Sequence, residues 1–150
     1  MKSSTRKIRE QLGLDEAERT VPTGSMWPTI RVGDSIRFRR DARAPRLGEV
    51  WVAELGELHV CHRVLWVSRE RVFFKGDWVL RADGWVPRKQ LFGPLSAVQR
   101  GEAWRPTNRR RDRALGLALS VAGSSCLAAR IAGSKVKRRL LALARPVVGT

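Results

Sequence analysis

Short apolar runs separated by turn residues fill residues 21–100 and constrain the fold of this chain most. The runs "SIRFRR", "EVWVAEL", "LHVCHRVLWVS", "RVFFKG", "GWVPRK" and "GPLSAVQR" have strand length and are rich in Val, Phe and Trp. Turn signals lie between them, including "GE" at 48–49 and 56–57 and "ADG" at 82–84. Strands of this length and spacing predict a mainly β fold, a compact antiparallel β barrel or sandwich.

Two segments of different composition flank this region. Residues 1–20 are polar, and we expect either a short helix over 4–19, capped by Ser4, or disorder. They start basic but contain no apolar run, so no cleavable signal peptide is expected. Residues 106–150 are rich in Ala and Leu and predict a basic helical tail. The predicted organisation is therefore an N-terminal segment over 1–20, a β domain over 21–105 and a helical tail over 106–150.

The tail contains a run without charged residues over 114–129. This run is shorter than the roughly 17–20 apolar residues that a membrane span requires, and serines and glycines interrupt it. We therefore favour a membrane-surface or packing helix over 114–133, and a marginal membrane span stays open. The alternative is a pair of soluble helices packed on the barrel. Basic residues on both sides leave the orientation open.

Positive charge is concentrated in the last third of the chain. The net charge is +16, and twelve basic residues from Arg100 onward face only Glu102 and Asp112. Such an excess predicts a polyanionic partner. We expect an anionic membrane surface, contacted through the tail, rather than nucleic acid.

The two cysteines, Cys61 and Cys126, lie far apart and form no disulfide framework. No Cys/His spacing resembles a zinc site. We accordingly expect no metal and no cofactor.

Ser25 in "VPTGSMWPTIRVGDSIRF" is the candidate nucleophile. A serine nucleophile needs a base within hydrogen-bond reach and donors for the oxyanion that forms on attack. Gly24 leaves room for a substrate backbone. Thr23 shares a side with Ser25 on an extended chain, so its hydroxyl could join the Ser25 N–H in an oxyanion hole. The alternative is an ordinary serine in a polar loop.

The candidate bases are His59 and His62, both in "LHVCHRVLWVS". Their odd separation places them on opposite faces of a strand, so they cannot both enter one site. Cys61 shares the face of His59, and these two would make at most a two-ligand metal site. A lysine base is the other option, but no lysine lies between Lys7 and Lys75.

Two acids complete the set of candidates. Asp77 and Asp83 lie in "FFKGDWVLRADGW", beside a glycine-containing turn. Either carboxylate could orient a histidine and stabilise its protonated form. The alternative is that both are turn-forming residues.

The order of these motifs resembles the type I signal peptidase family, and specifically its endoplasmic-reticulum-type branch, in which histidine replaces the lysine base. Residues 24–29 match the Gly-Ser-Met-x-Pro-Thr block, and a Gly-Asp pair follows at Gly33–Asp34. The His-Arg and Lys-Gly-Asp blocks are matched by His62–Arg63 and Lys75–Gly76–Asp77. The resemblance covers residues 21 to about 100.

The resemblance implies a serine endopeptidase that cleaves a signal or leader peptide from a secreted or exported precursor. It implies Ser25 as the nucleophile that carries the acyl-enzyme and His62 as the general base. It implies Asp83 as the orienting acid, with Asp77 as a structural residue or alternative acid, and Thr23 in the oxyanion hole. The substrate would be an extended segment with small residues before the cut. Such an enzyme would be membrane-associated, weakly anchored or peripheral.

Two other functions remain open. The self-cleaving repressor peptidases share this fold and a similar Ser-Met block, but they use a lysine base and an added DNA-binding domain. Here His62 occupies the base position, and residues 1–20 are too short for a helix-turn-helix domain. The other function is non-enzymatic, a barrel whose basic tail binds a membrane or nucleic acid.

Overall fold

A computed structural model of the chain describes residues 16–56, 58–123 and 125. Eight strands form most of it: β1 (Glu16–Thr20), β2 (Ser35–Arg39), β3 (Val50–Leu55), β4 (Leu58–Val67), β5 (Arg71–Lys75), β6 (Gly84–Pro87), β7 (Leu91–Arg100) and β8 (Ala103–Pro106). A 3-10 turn at Arg88–Gln90 joins β6 to β7. A helix, α1, follows β8 and covers residues 110–123.

The strands form one antiparallel sheet that curves into a half-barrel. Its order is β1-β2-β7-β3-β4-β5-β6, and β8 pairs with β7 beside this path. The prediction of a mainly β fold with a helical tail is confirmed. Each of the six runs recognised in the sequence forms one strand, from β2 to β7.

Strand β3 is covered on both faces, which explains its nearly unbroken apolar sequence. Val50 and Val52 belong to one hydrophobic cluster, together with Met26 and Ile30 of the serine-containing segment. Trp51 and its neighbours on the opposite face belong to a second cluster with residues of β4, β5 and β6. Side chains alternate between the faces of a strand, so a strand between two cores is apolar at every position.

The N-terminal prediction is wrong where the structure describes it. Residues 16–19, placed in a polar helix by the sequence, belong to β1, which pairs antiparallel with β2. The Arg37 Nη2 atom lies 2.6 Å from Glu18 Oε1, and Glu16 lies on the same side of Arg37 at 3.9 Å. Pairing with an existing strand therefore overrides the weak helical pattern. Residues 4–15 of the predicted helix lie outside the described residues.

Helix α1 begins where Asn108 attaches the chain to the sheet. The Asn108 side chain accepts a hydrogen bond from Val50 N at 2.7 Å and donates to Val50 O and Leu95 O. Asp112 then accepts from the Arg109 N–H, as a residue in the first turn of a helix can. Among the described residues, no helix is long and apolar enough to cross a membrane. Residues 126–133 of the predicted helix lie outside the described residues.

Candidate active site

The segment that carries Ser25, residues 21–34, is a closed loop anchored in the core; we call it the Ser25 loop. Val21 N donates to Asp34 O and Gly33 N donates to Val21 O, both at 2.9 Å, which joins its two ends. Met26 and Ile30 are 2% and 0% exposed in the first hydrophobic cluster. Ser25, directly before Met26, is partly exposed.

Backbone conformation explains the glycine of the Gly33–Asp34 pair, and hydrogen bonds to two arginines explain the aspartate. Gly33 has a φ of 87°, a left-handed conformation that residues with a Cβ rarely adopt. The Asp34 carboxylate accepts hydrogen bonds from Arg31 N at 2.9 Å and from Arg100 Nη2 at 2.7 Å. Burial alone would raise the pKa of Asp34, but the hydrogen bonds and charges of Arg100 and Arg31 lower it below its ordinary value.

Three residues from distant segments meet at the Ser25 loop. The Nε2 atom of His62, on β4, lies 2.9 Å from Ser25 Oγ, although the residues are 37 positions apart. The other ring nitrogen of His62, Nδ1, is hydrogen-bonded to Asp83 Oδ2 in the turn before β6. His62 itself is 8% exposed. The side chains of Ser25, His62 and Asp83 thus form one continuous hydrogen-bonded chain.

The Lys75–Gly76–Asp77 block begins at the last residue of β5 and contacts both Ser25 and His62. A Cβ atom on Gly76 would lie 2.7 Å from Ser25 O and 3.1 Å from His62 Nε2. Trp78 N also donates a hydrogen bond to Ser25 O at 2.8 Å. Residue 76 must therefore lack a side chain for serine and histidine to lie at this distance.

Thr23 lies on the open side of the serine. Its Oγ1 atom is 3.4 Å from Ser25 Oγ, as expected for residues two apart on an extended segment. Both residues are outside the core, Thr23 exposed and Ser25 partly exposed. The hydroxyl groups of Thr23 and Ser25 therefore lie side by side outside the core.

The two candidate acids have different partners. Asp77 is completely buried and accepts hydrogen bonds from Arg63 Nε at 2.7 Å and Arg63 Nη2 at 2.6 Å. Its Oδ2 atom also accepts one from Thr29 Oγ1 at 2.8 Å. Asp77 is thus committed to a buried ion pair, and it is Asp83 that meets His62.

Sequence reasoning did not identify Arg63 as the partner of Asp77. A signal was present, because Arg63 follows His62 on β4 and so must face the opposite side of the strand. An arginine on a face that also carries core residues needs a buried anion. The position of that anion, 14 residues away, follows only from the pairing of β4 with β5.

The other candidate groups lie away from the serine. His59 is half exposed, and its Nε2 atom is 3.5 Å from Glu54. Burial raises the pKa of the Cys61 thiol to about 12, which leaves little thiolate at neutral pH. Cys126 lies outside the described residues. Burial lowers the pKa of Lys75, partly offset by Asp77 and Asp83, but its Nζ donates to Gly76 O and Ser120 O.

Comparison with known proteins adds no family to this description. No protein-family model matches the chain, and no curated protein matches it. Within the described part of the chain, no group of three or more His, Cys, Asp or Glu side chains is arranged to hold a metal ion. We therefore base the functional assignment on the geometry of the site and on the motif resemblance.

Proposed function

We propose that this protein is a serine endopeptidase of the signal-peptidase type, which cleaves a signal or leader peptide from a secreted or exported precursor. The observation that carries the proposal is the hydrogen-bonded chain from Ser25 Oγ through His62 to Asp83. A serine hydroxyl is a weak nucleophile alone, and a histidine held by a carboxylate is the arrangement that activates it. The order of the surrounding motifs agrees with this assignment.

The reaction starts with attack of Ser25 Oγ on the carbonyl carbon of the scissile bond. His62 Nε2, 2.9 Å away, accepts the hydroxyl proton as the new C–O bond forms. Asp83 holds the ring with the proton on Nδ1 and stabilises the imidazolium. His62 then donates its proton to the leaving amine, which breaks the C–N bond and leaves the acyl group on Ser25. Water, deprotonated by His62, hydrolyses this ester and restores the serine.

The oxyanion formed on attack needs hydrogen-bond donors in place before the reaction. The Ser25 backbone N–H and the Thr23 hydroxyl are the two groups that we assign to this role. Thr23 Oγ1 lies 3.4 Å from Ser25 Oγ, so both groups can donate a hydrogen bond to the oxygen of the attacked carbonyl.

The surface around Ser25 suits an extended apolar peptide. Gly24 carries no side chain, and the nearest atom to the position of its absent Cβ is a methyl group of Val32 at 3.9 Å. Trp27 and Val32 are 42% and 63% exposed. The motif resemblance adds the expectation of small residues before the cut.

The direct test is cleavage of a library of leader peptides by the wild type and by Ser25→Ala, with the cuts mapped by mass spectrometry. We expect the variant to lose at least about 10⁴-fold in kcat while its fold is retained, because removal of the nucleophile leaves only binding and oxyanion stabilisation. His62→Ala should lose a similar factor.

His59→Ala is the matched control, since it removes the second histidine of the same strand without touching the site. It should cleave at the wild-type rate. Undiminished cleavage by Ser25→Ala or His62→Ala would contradict the mechanism. A wild-type protein that cuts only its own chain would instead favour the self-cleaving repressor-like peptidases.

We further propose that the protein works at an anionic membrane surface, to which the basic tail attaches it. The concentration of positive charge from Arg100 onward supports this partner. A membrane-associated enzyme would meet its leader peptides where they are anchored.

A further inference from the structure

Helix α1 packs beside Arg63 and the segment at the end of β5 through three small residues of one helix face. Residues 116, 120 and 123 are buried, and their spacing places them on one face of a helix. Gly116 meets Arg63, the residue after His62, whereas Ser120 and Gly123 meet Lys75 and Asp77, the two neighbours of Gly76.

The contact at Gly116 leaves no room for any side chain. A Cβ atom there would lie 2.1 Å from Arg63 Cζ and 2.2 Å from Arg63 Nη1. A long arginine can often move aside, but this guanidinium is buried and fully engaged. It donates to both carboxylate oxygens of Asp77 and, through Nη1, to Gly48 O at 2.7 Å. Movement of Arg63, a residue that is only 1% exposed, would break these buried hydrogen bonds.

The next two contacts extend along the block after β5. Lys75 Nζ donates a hydrogen bond to Ser120 O at 3.2 Å, so a main-chain carbonyl of α1 binds the buried ammonium group. A Cβ atom on Gly123 would lie 2.6 Å from the main-chain oxygen of Asp77 and 2.9 Å from Trp78 Cε3. Backbone cannot yield as a flexible side chain can.

The same block forms the other side of the catalytic pair. Trp78 N donates to Ser25 O, and Gly76 touches both Ser25 O and the His62 ring. Arg63 follows His62 directly on β4. The segment that α1 contacts is therefore the same segment that contacts both the serine and the histidine.

We propose that α1 is a positioning element of the active site, which holds Arg63 and residues 75–78 and thereby keeps Ser25 Oγ within hydrogen-bond distance of His62 Nε2. The inference rests on the proposed function of that pair. It assigns the small residues of α1 to the sheet rather than to a membrane. Only the outward face, where Leu115 and Val121 are 63% and 67% exposed, remains for other contacts.

The substitution Gly116→Ala in the full chain tests whether α1 packs against Arg63 or is a tail without contacts to the sheet. Alanine favours a helix interior over glycine, so at a position without contacts the change raises the midpoint of thermal unfolding. If α1 is seated as described, the added methyl group meets Arg63, and the midpoint falls instead. Ala118→Gly, at an exposed position of the same helix, calibrates the propensity effect, because its loss equals the gain expected at residue 116 without a contact.

The catalytic consequence has its own measurements, made well below the unfolding midpoint. We expect Gly116→Ala to lower kcat by about 10- to 100-fold, with KM near its wild-type value, since a small displacement of reacting groups costs rate rather than binding. The chain has two histidines. Nuclear magnetic resonance should therefore show the ring signals of His62 displaced and those of His59 unchanged.

A raised midpoint, or ring signals of His62 identical to those of the wild type, would overturn the inference. If Gly116→Ala does not fold, its loss of stability has the predicted sign, and Gly123→Ala is used for the kinetic and spectroscopic measurements. Should the wild type cleave no peptide, the proposed function fails, while the midpoint and the His62 signals still decide whether α1 positions the pair.

Discussion

Asp77 and Asp83 lie in one short segment, yet their carboxylates have different environments. Asp77 is buried against Arg63 and Thr29, whereas Asp83 is partly exposed and meets the His62 ring. A carboxylate that serves a buried arginine contributes to folding, and one that serves a reacting histidine contributes to rate. At the scale of single residues, the expected role of each aspartate therefore follows from its hydrogen-bond partner and not from its residue type.

Substitution of the two acids should separate stability from activity. We expect Asp83→Asn to reduce kcat by about 10⁴-fold, because an amide does not hold the histidine in its reactive tautomer, with stability close to the wild type.

We expect Asp77→Ala to lower the free energy of unfolding by about 3–5 kcal/mol, because Arg63 is left as an uncompensated buried charge. Urea unfolding and peptide cleavage measure the two effects. Wild-type rates for Asp83→Asn would remove it from the mechanism.

Thr23 can be tested through its hydroxyl alone. Thr23→Val keeps the shape of the side chain and removes the donor, so kcat should fall by about 10²- to 10³-fold with little change in KM. Thr23→Ser keeps the hydroxyl and should recover most of the rate. If Thr23→Val cleaves as fast as the wild type, the Ser25 N–H acts without this residue.

At the scale of elements, the Asp34 carboxylate supplies a charged contact between the Ser25 loop and the sheet. Asp34 accepts a hydrogen bond from Arg31 N within the loop and forms an ion pair with Arg100 on β7. It thus joins the nucleophile segment to the sheet. Loss of its charge therefore weakens the contact between the loop and β7.

This link predicts an acid dependence of stability. The pKa of Asp34 is lower in the folded state than its ordinary value, so the folded state binds the proton more weakly than the unfolded chain. The stabilisation is fully present above the unfolded pKa of about 3.9 and is lost as the pH falls through the lowered value. We expect Asp34→Asn to be less stable than the wild type near neutral pH, with the difference shrinking in acid.

Urea unfolding over a pH series measures this difference. Glu102→Gln, in the exposed turn between β7 and β8, is the charge-matched control. A difference between Asp34→Asn and the wild type that stays constant as the pH falls would contradict the assigned link.

At the scale of the whole molecule, charge and chemistry are separated along the chain. The proposed catalytic groups lie within residues 23–83, whereas most of the positive excess lies beyond residue 100. Helix α1 joins the two parts, since it is seated on the sheet and leads to the basic residues from 130 onward. A tail attached to a surface in this way would keep the active site near that surface.

Vesicle binding tests this arrangement. Co-sedimentation should occur with vesicles that contain anionic lipid and should weaken as salt is added, because exposed charges are screened over about 8–10 Å at physiological ionic strength. Neutral vesicles are the control. Replacement of Lys135, Lys137, Arg138 and Arg139 by glutamine should reduce binding and leave cleavage of short soluble peptides unchanged. Retention of duplex DNA in place of vesicles, over the same salt series, would exclude the membrane as the tail's partner.

The sequence by itself determined the strands β2 to β7 and the three residues that form the hydrogen-bonded chain. Local composition is sufficient for the strands, because alternation and turn residues act over a few positions. Strand parity showed that His59 and His62 cannot share a site, and the resemblance in motif order implied Ser25, His62 and Asp83, with Asp77 as an alternative acid. The structure then brings Ser25, His62 and Asp83 together.

The tertiary structure alone decided β1, the role of Asp77 and the place of α1. Residues 16–19 form a strand because the edge of β2 is available for pairing. Asp77 forms an ion pair because the pairing of β4 with β5 places Arg63 beside it. Gly116 is buried because it packs against the same arginine. Each outcome depends on a residue distant in sequence. Local preferences are weak compared with such contacts, so only the folded chain selects between the alternatives that they leave open.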